Sequence, residues 1–322
     1  MLATSELVMR LATRVGPMRT GAMLLLAMNT SRAHAQRLGE GPLVLRLPAS
    51  ARLAAMANAG IASSDGDAFL YNPGMLSAAR GMAASAQRYG SSGTAGALGS
   101  VTTSGSLTLG VGVQFVDWRA PANMPYANAV RYAPARLSDS GIVAASSSAF
   151  TLGVGRTIKG YRLGANIKYA EDRFGAAHDG AVAVDVGAML SVGPGTLAFT
   201  AQNLGAGLRI GGSNGSLPRR VGIGYGTGLL SMFEHWDLGA QMQLTIENNW
   251  FVRPAGGVEF GYVPIEGVSL VMRGGLRLPR ERDESLVTGG LGIVFDRISI
   301  DYAAEPFRGG RPVSHRVGVR LR

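Results

Sequence analysis

The chain has 322 residues, no cysteine, a hydrophobic fraction of 46% and a formal charge of +10. Without cysteine, neither a disulfide framework nor a thiolate metal site can form. The basic residues are almost all arginine, with lysine only at Lys159 and Lys168. They are scattered along the chain, which excludes nucleic acid as an expected partner.

Residues 1–35 read as an export signal. Arg19 supplies the positive end and Ala22–Met28 an apolar core. That core is far shorter than the roughly 18 residues a spanning helix needs. Ala33-His34-Ala35 fits an A-x-A cleavage site, and Met18 reads as the initiator. Loss of 1–35 removes Arg10, Arg14, Arg19, Arg32 and Glu6 and leaves a net charge of +7.

Residues 36–81 read as a plug, or hatch. The segment is alanine-rich with polar breaks, and a helical period holds only weakly, at Ala49–Ala59 and Pro73–Ala79. Asn72-Pro73 ends an extended stretch and starts a short turn, because proline fixes φ and lacks a donor.

From 82 to 322 the period becomes two. In Trp236–Glu247, Trp236, Leu238, Ala240, Met242, Leu244 and Ile246 alternate with polar residues or glycine. A period of two is a strand with one apolar and one polar face. Fourteen such segments are expected, near 82–89, 95–103, 107–116, 146–156, 161–171, 180–192, 196–203, 218–229, 236–247, 252–262, 268–277, 286–295, 298–304 and 314–322. Tight connections (104–105, 157–160, 193–195, 265–267, 296–297) alternate with longer ones (117–139, 172–179, 204–217, 278–285, 305–313). Short turns on one rim, long loops on the other and an even strand count describe an outer-membrane barrel with its short rim periplasmic. The expected fold is therefore all-β: a 14-stranded antiparallel transmembrane barrel, 82–322, behind a small N-terminal hatch.

The loop 117–139 carries Trp118, Tyr126 and Tyr132 between prolines. It is longer than loops without function usually are. It reads either as a partner-binding loop or as a lid folded over the mouth.

The polar rows carry glycine and both charge signs. Glu259, Arg273, Asp301 and Arg316 are the expected lumen network, with Asp301 and Arg316 pairing between the last two strands. Buried charges need partners, so these rows suit a filled, salt-bridged interior. The only large apolar residues read as facing inward are Met189, Val271 and Val294, which argues against a greasy conduit. Glycine strings such as Gly222-Ile223-Gly224-Tyr225-Gly226 and Gly110-Val111-Gly112 read as inward rows that let a plug approach. No H-E-x-x-H, G-x-S-x-G or P-loop is present. His315 near Asp301, and His178 near Asp172 and Asp179, are the acid–histidine pairings on offer, and no serine is singled out to accompany them. The expectation is a non-enzyme with no cofactor or metal; a barrel hydrolase is the third alternative.

The stretch Ala51-Arg52, Gly60-Ile61-Ala62 and Asp67-Ala68-Phe69-Leu70-Tyr71-Asn72-Pro73-Gly74-Met75-Leu76 resembles the opening motif of the PorV/PorQ family, within the FadL-like barrel group. Gly74-Met75 departs from the family's usual Ala-Gly. Gln202-Asn203-Leu204-Gly205 with Leu217-Pro218, Gly257–Phe260 with Met272–Gly275, and Ile300–Ala303 with Ser314–Arg316 follow in the family's order. The resemblance implies a fourteen-stranded outer-membrane barrel with a hatch, in which Asp67, Tyr71, Asn72 and Pro73 form the hatch motif. It also implies a role beside secretion-system components or exported proteins of a type IX pathway. The expected function is that of a PorV/PorQ-type barrel that assists export or surface attachment of proteins, by loops docking on a plugged barrel and not by conduction; the alternative is a FadL-like channel that passes a hydrophobic ligand. Outer-membrane lipid is the remaining expected partner.

Overall fold

The computed structural model describes residues 40–90, 93–121, 142–210, 212–308 and 312–321. The expected signal segment, Tyr126 and Tyr132 lie outside them. Strands β1 (Gly81–Tyr89), β2 (Gly93–Ser104), β3 (Leu107–Pro121), β4 (Ile142–Ile158), β5 (Tyr161–Phe174), β6 (Ala177–Val192) and β7 (Gly195–Gly205) form an antiparallel meander. A two-strand hairpin, β8 (Leu208–Ile210) with β9 (Ser213–Gly215), sits in the connection to β10 (Arg220–Thr227). The short β11 (Leu230–Phe233) precedes β12 (Trp236–Glu247), β13 (Phe251–Ile265), β14 (Val268–Arg277), β15 (Val287–Phe295), β16 (Ile298–Glu305) and β17 (Ser314–Leu321). β10 pairs with both β7 and β12, and β1 pairs with β17, so the wall closes as a 14-strand barrel.

Closure leaves no unpaired edge, the condition for strands to cross a bilayer. The apolar rows face out. Leu109, Val111, Val113 and Phe115 on β3 are 41–46% exposed, whereas Thr108, Gly110, Gly112 and Gln114, which alternate with them, are buried. That is the reverse of a soluble sandwich and decides between the two. Tyr161, Trp236 and Phe295 face out at strand ends, where a membrane-interface girdle lies, while Phe115, Tyr169 and Tyr302 face out within their strands. A closed barrel with an apolar girdle belongs in the bacterial outer membrane.

Strands run further than their alternation suggested. β5 and β6 pair up to Phe174↔Ala177, so the expected loop 172–179 shrinks to a turn at Gly175-Ala176. Asp172, Arg173 and His178 are strand residues. β3 likewise continues to Pro121, which takes Trp118 out of the loop and points it inward, 3% exposed. Polar residues at strand ends hid these extensions, since they break the apolar period without breaking the ladder.

Residues 40–80 occupy the barrel interior, and we call them the hatch. The segment starts at the long-loop rim, where Gly41 N donates to Ser216 O (3.1 Å). It reaches the short-turn rim at Gly81, where β1 begins. On the way it forms one five-residue helix, α1 (Ala51–Ala55), N-capped by Ser50, and short 3-10 turns at Leu43–Arg46, Ala68–Leu70 and Pro73–Met75. With so little regular structure, its backbone polar groups need partners from the wall. Ser85 Oγ donates to Ala49 O (2.6 Å), Thr288 Oγ1 to Ala55 O (2.9 Å), Asn166 Nδ2 to Phe69 O (2.9 Å) and Gln202 Nε2 to Leu70 O (3.2 Å).

Candidate functional site: the hatch and the barrel mouth

The inward glycine rows mark the hatch's path. A Cβ on Gly224 would lie 3.0 Å from Ile61 Cβ, and one on Gly226 3.3 Å from Ala62 Cβ. Gly164 and Gly187 are filled in the same way by Pro73 O and Asn72 Oδ1. Asn72 is wholly buried; its Oδ1 accepts from Gly74 N (2.9 Å) and its Nδ2 donates to Ile61 O (3.0 Å), which joins two limbs of the hatch. Tyr71 Oη accepts from Ala49 N (2.9 Å) and Ser50 N (3.2 Å) and so sets the start of α1. Burial, with the nearby Asp67 charge, pushes the Tyr71 phenol up to about 12. Pro73 opens the turn that carries Met75 and Leu76 into the core.

Six buried charges close a ring between hatch and wall. Arg52 on α1 donates from Nε to Glu259 on β13 (3.0 Å) and from Nη1 to Asp65 (2.6 Å). Glu259 also accepts from Arg273 Nε on β14 (3.1 Å). Arg273 Nη1 makes an ion pair with Asp301 on β16 (2.8 Å). Asp301 accepts from Arg320 Nε on β17 (2.8 Å), and Arg320 returns to Asp65. Three guanidiniums thus alternate with three carboxylates, and each has two opposite neighbours. A buried charge costs several kcal/mol unless so compensated. Burial works against the Arg52 charge, but Asp65 and Glu259 outweigh it and raise its pKa.

The ring takes Glu259, Arg273 and Asp301 from the expected network but leaves out Arg316. The Asp301–Arg316 pair does not form. Arg316 bonds instead to Gln87 Oε1 (2.9 and 2.6 Å) and Ser85 Oγ (2.6 Å) on the neighbouring β1, while Arg320, four residues on, takes Asp301. Asp67 stands beside the ring with its buried Oδ1 lacking a hydrogen-bond partner. Burial and the Asp65 charge push its carboxyl up to about 6.

Under the long-loop rim the interior has two halves. On the β3–β7 side, Leu43, Val44 and Leu45 of the hatch pack with Val116, Trp118, Ala145, Ala149, Ala170 and Ala183, and with Leu208, Ile210 and Leu217 from the β7–β10 connection. Small wall side chains meet large hatch side chains, so the apolar content is carried by the hatch. The inward rows, read without the hatch, did not show this compartment. The strap 43–45 is tied to the wall by few bonds: Leu43 N to the Asp172 carboxylate (3.2 Å) and Val44 N to Ser147 Oγ (3.0 Å).

Against the other flank of the strap lies a cavity of about 120 Å³, lined by Leu43 and Leu45 and by a set of charged side chains. Arg253 binds Glu284 (2.6 Å), Arg280 binds Glu247 (3.0 Å) and Glu40, and Arg277 binds Glu305. Glu284 is on the loop 278–286. Burial raises its pKa, but Arg253 and Arg277 reverse this and hold it at about 2. A ligand entering here meets arginines already matched by carboxylates.

The acid–histidine pairings are not assembled. His315 faces outward and bonds to Tyr302 Oη (2.7 Å), while Asp301 faces the lumen. His178 is exposed and Asp172 fully buried, on opposite faces of the wall. Among the described residues there is no group of three or more His, Asp or Glu placed to hold a metal.

No protein-family profile matches the chain, and no curated protein sequence matches it. The solved structures do. The Pseudomonas putida toluene transporter TodX superposes with a TM-score of 0.54 at 12% identity, over 88% of this chain and 98% of that one. The CymD monoaromatic hydrocarbon channel does so with a TM-score of 0.58 at 7% identity, over 85% and 97%. The chain therefore shares the barrel fold of these two structures.

Proposed function

We propose that this barrel is an outer-membrane channel for small apolar molecules and that its hatch controls passage. The observation that carries this reading is the apolar compartment beneath the long-loop rim. A strap of three large side chains fills a pocket whose wall is mostly alanine, and three hydrogen-bond contacts tie it there. An apolar solute can replace Leu43–Leu45 without exposing the wall to water, which keeps the cost of opening low. The ionic ring, deeper and fully paired, holds the rest of the hatch in place meanwhile. That the structures of similar fold are described as a toluene transporter and a monoaromatic hydrocarbon channel supports the same reading.

Trp118 lies in this compartment, whereas Trp236 and Trp250 are exposed. A W236F/W250F variant therefore reports on the compartment alone. Titration with toluene is expected to shift Trp118 emission saturably in this variant. An emission that stays constant, or drifts linearly as in detergent without protein, contradicts the reading.

A further inference from the structure

We propose that the outer face of β1–β5, just below the long-loop rim, binds an outer-leaflet glycolipid through its phosphates. The proposal rests on the long-loop rim facing outward from the cell and is independent of what passes through the lumen.

Cross-strand register sets one polar row on the outer face. Arg88 on β1 pairs with Thr94, Thr94 with Asp117, Asp117 with Ser146 and Ser146 with Arg173. Arg119, one outward position higher on β3, joins them. Arg88, Arg119 and Arg173 are exposed, and these residues line an open groove of about 650 Å³. Arg88 donates from Nε to Gly90 O (3.0 Å) and Arg173 from Nε to Glu171 (2.7 Å). Both bonds orient the guanidinium through Nε, so the terminal nitrogens point away from the anchoring partner. Guanidinium is the side chain best suited to grip phosphate in two-point fashion.

The surroundings select the ligand. Towards the bilayer the next outward row holds Phe115 with Ser148 and Glu171, the carboxylate that anchors Arg173, and the row below it is apolar: Leu98, Val113, Phe150 and Tyr169. A ligand that satisfies both levels is an amphiphile with anionic groups at the rim and acyl chains below. Arg88 and Arg173 stand four strands apart, roughly 19 Å at ~4.8 Å per strand. One phosphate cannot serve both, so the row fits a headgroup that carries two separated phosphates. Thr94 and Ser146 between them offer hydroxyls to the sugar, and Asp117 accepts from its hydroxyl or amide groups.

The test is native mass spectrometry of the full barrel in a neutral detergent. Bisphosphorylated lipid A, the same lipid after phosphatase treatment, phosphatidylglycerol and inorganic phosphate are added in turn. Wild type is expected to retain bisphosphorylated lipid A at least ~10-fold more tightly than the dephosphorylated form or phosphatidylglycerol. The R88Q/R119Q/R173Q variant is expected to lose that preference. R162Q, at a half-buried arginine on the short-turn side that bonds Ser191, is expected to keep it. Heat-modifiable gel migration confirms that each barrel is folded. Equal retention of both lipid A forms, an unaffected triple variant, or displacement of the lipid by millimolar inorganic phosphate would each overturn the proposal.

Discussion

Arg52 on the hatch helix donates to Glu259 on the wall across 207 residues of sequence, and this contact fastens the two parts of the molecule. Replacing Arg52 by methionine takes one guanidinium from both Glu259 and Asp65, which keep Arg273 and Arg320 respectively. Breaking a buried ionic group in this way costs about 3–5 kcal/mol. R52M is therefore expected to lower the urea midpoint of the detergent-solubilised barrel and to open the hatch to protease. R52K, which keeps the charge but cannot bridge two carboxylates as a planar fork, is expected to fall between. Equal stability of R52M and wild type would mean that the ring holds nothing.

Gly292 makes the ring geometrically possible. It lies between β14 and β16 on β15, and a Cβ there would sit 2.7 Å from Asp301 Oδ1 and against the Arg273 guanidinium. G292A is expected to separate Arg273 from Asp301 and to destabilise the barrel by about 2 kcal/mol or more, the scale of a lost buried charged contact. Gly274 has open space where its Cβ would be. G274A, on the neighbouring strand, is expected to be neutral within about 0.5 kcal/mol, as surface changes usually are.

Asp67 gives the hatch a pH dependence of definite sign. Its folded pKa of about 6 lies above that of the unfolded chain, so the folded state binds the proton more tightly. Stability is then full below about pH 4 and falls as the pH rises through 6. D67N, which cannot ionise, is expected to match wild type at pH 4 and to exceed it at pH 8 by on the order of 3 kcal/mol. Unfolding midpoints measured across that range check this. Curves that stay parallel would show that Asp67 does not titrate there.

Much of this was legible in the sequence. Alternation gave the fourteen wall strands and their faces, because in a closed sheet each residue's face follows from period two alone. Glu259, Arg273 and Asp301 were found as inward charges for the same reason. Their partners were not, since pairing depends on register and on the hatch. Arg320 and Arg316 are equivalent by alternation, and only the β16–β17 register and the position of Asp65 decide which one reaches Asp301. Arg52, which enters the sequence reading only as part of the Ala51-Arg52 motif, has a signal of its own as a lone arginine in the alanine-rich helix Ala51–Ala55. Trp118 was misplaced because Asp117 and Arg119 on either side of it look like a loop, yet they are the outward row of a strand that continues.

On the proposed function, movement of the strap Leu43–Leu45 admits an apolar solute. Ser147 Oγ lies 3.0 Å from Val44 N, so the two positions are neighbours across the strap, and the chain has no other cysteine to interfere. A V44C/S147C barrel can therefore be locked by oxidation and released by reductant. The decisive measurement is the rate of labelled toluene accumulation in cells that lack any other outer-membrane channel for apolar compounds. Wild type and reduced V44C/S147C are expected to accumulate toluene faster than cells without the barrel, and the oxidised variant to fall to their rate. Equal rates in the oxidised and reduced states, or no gain from the wild-type barrel, would contradict the account.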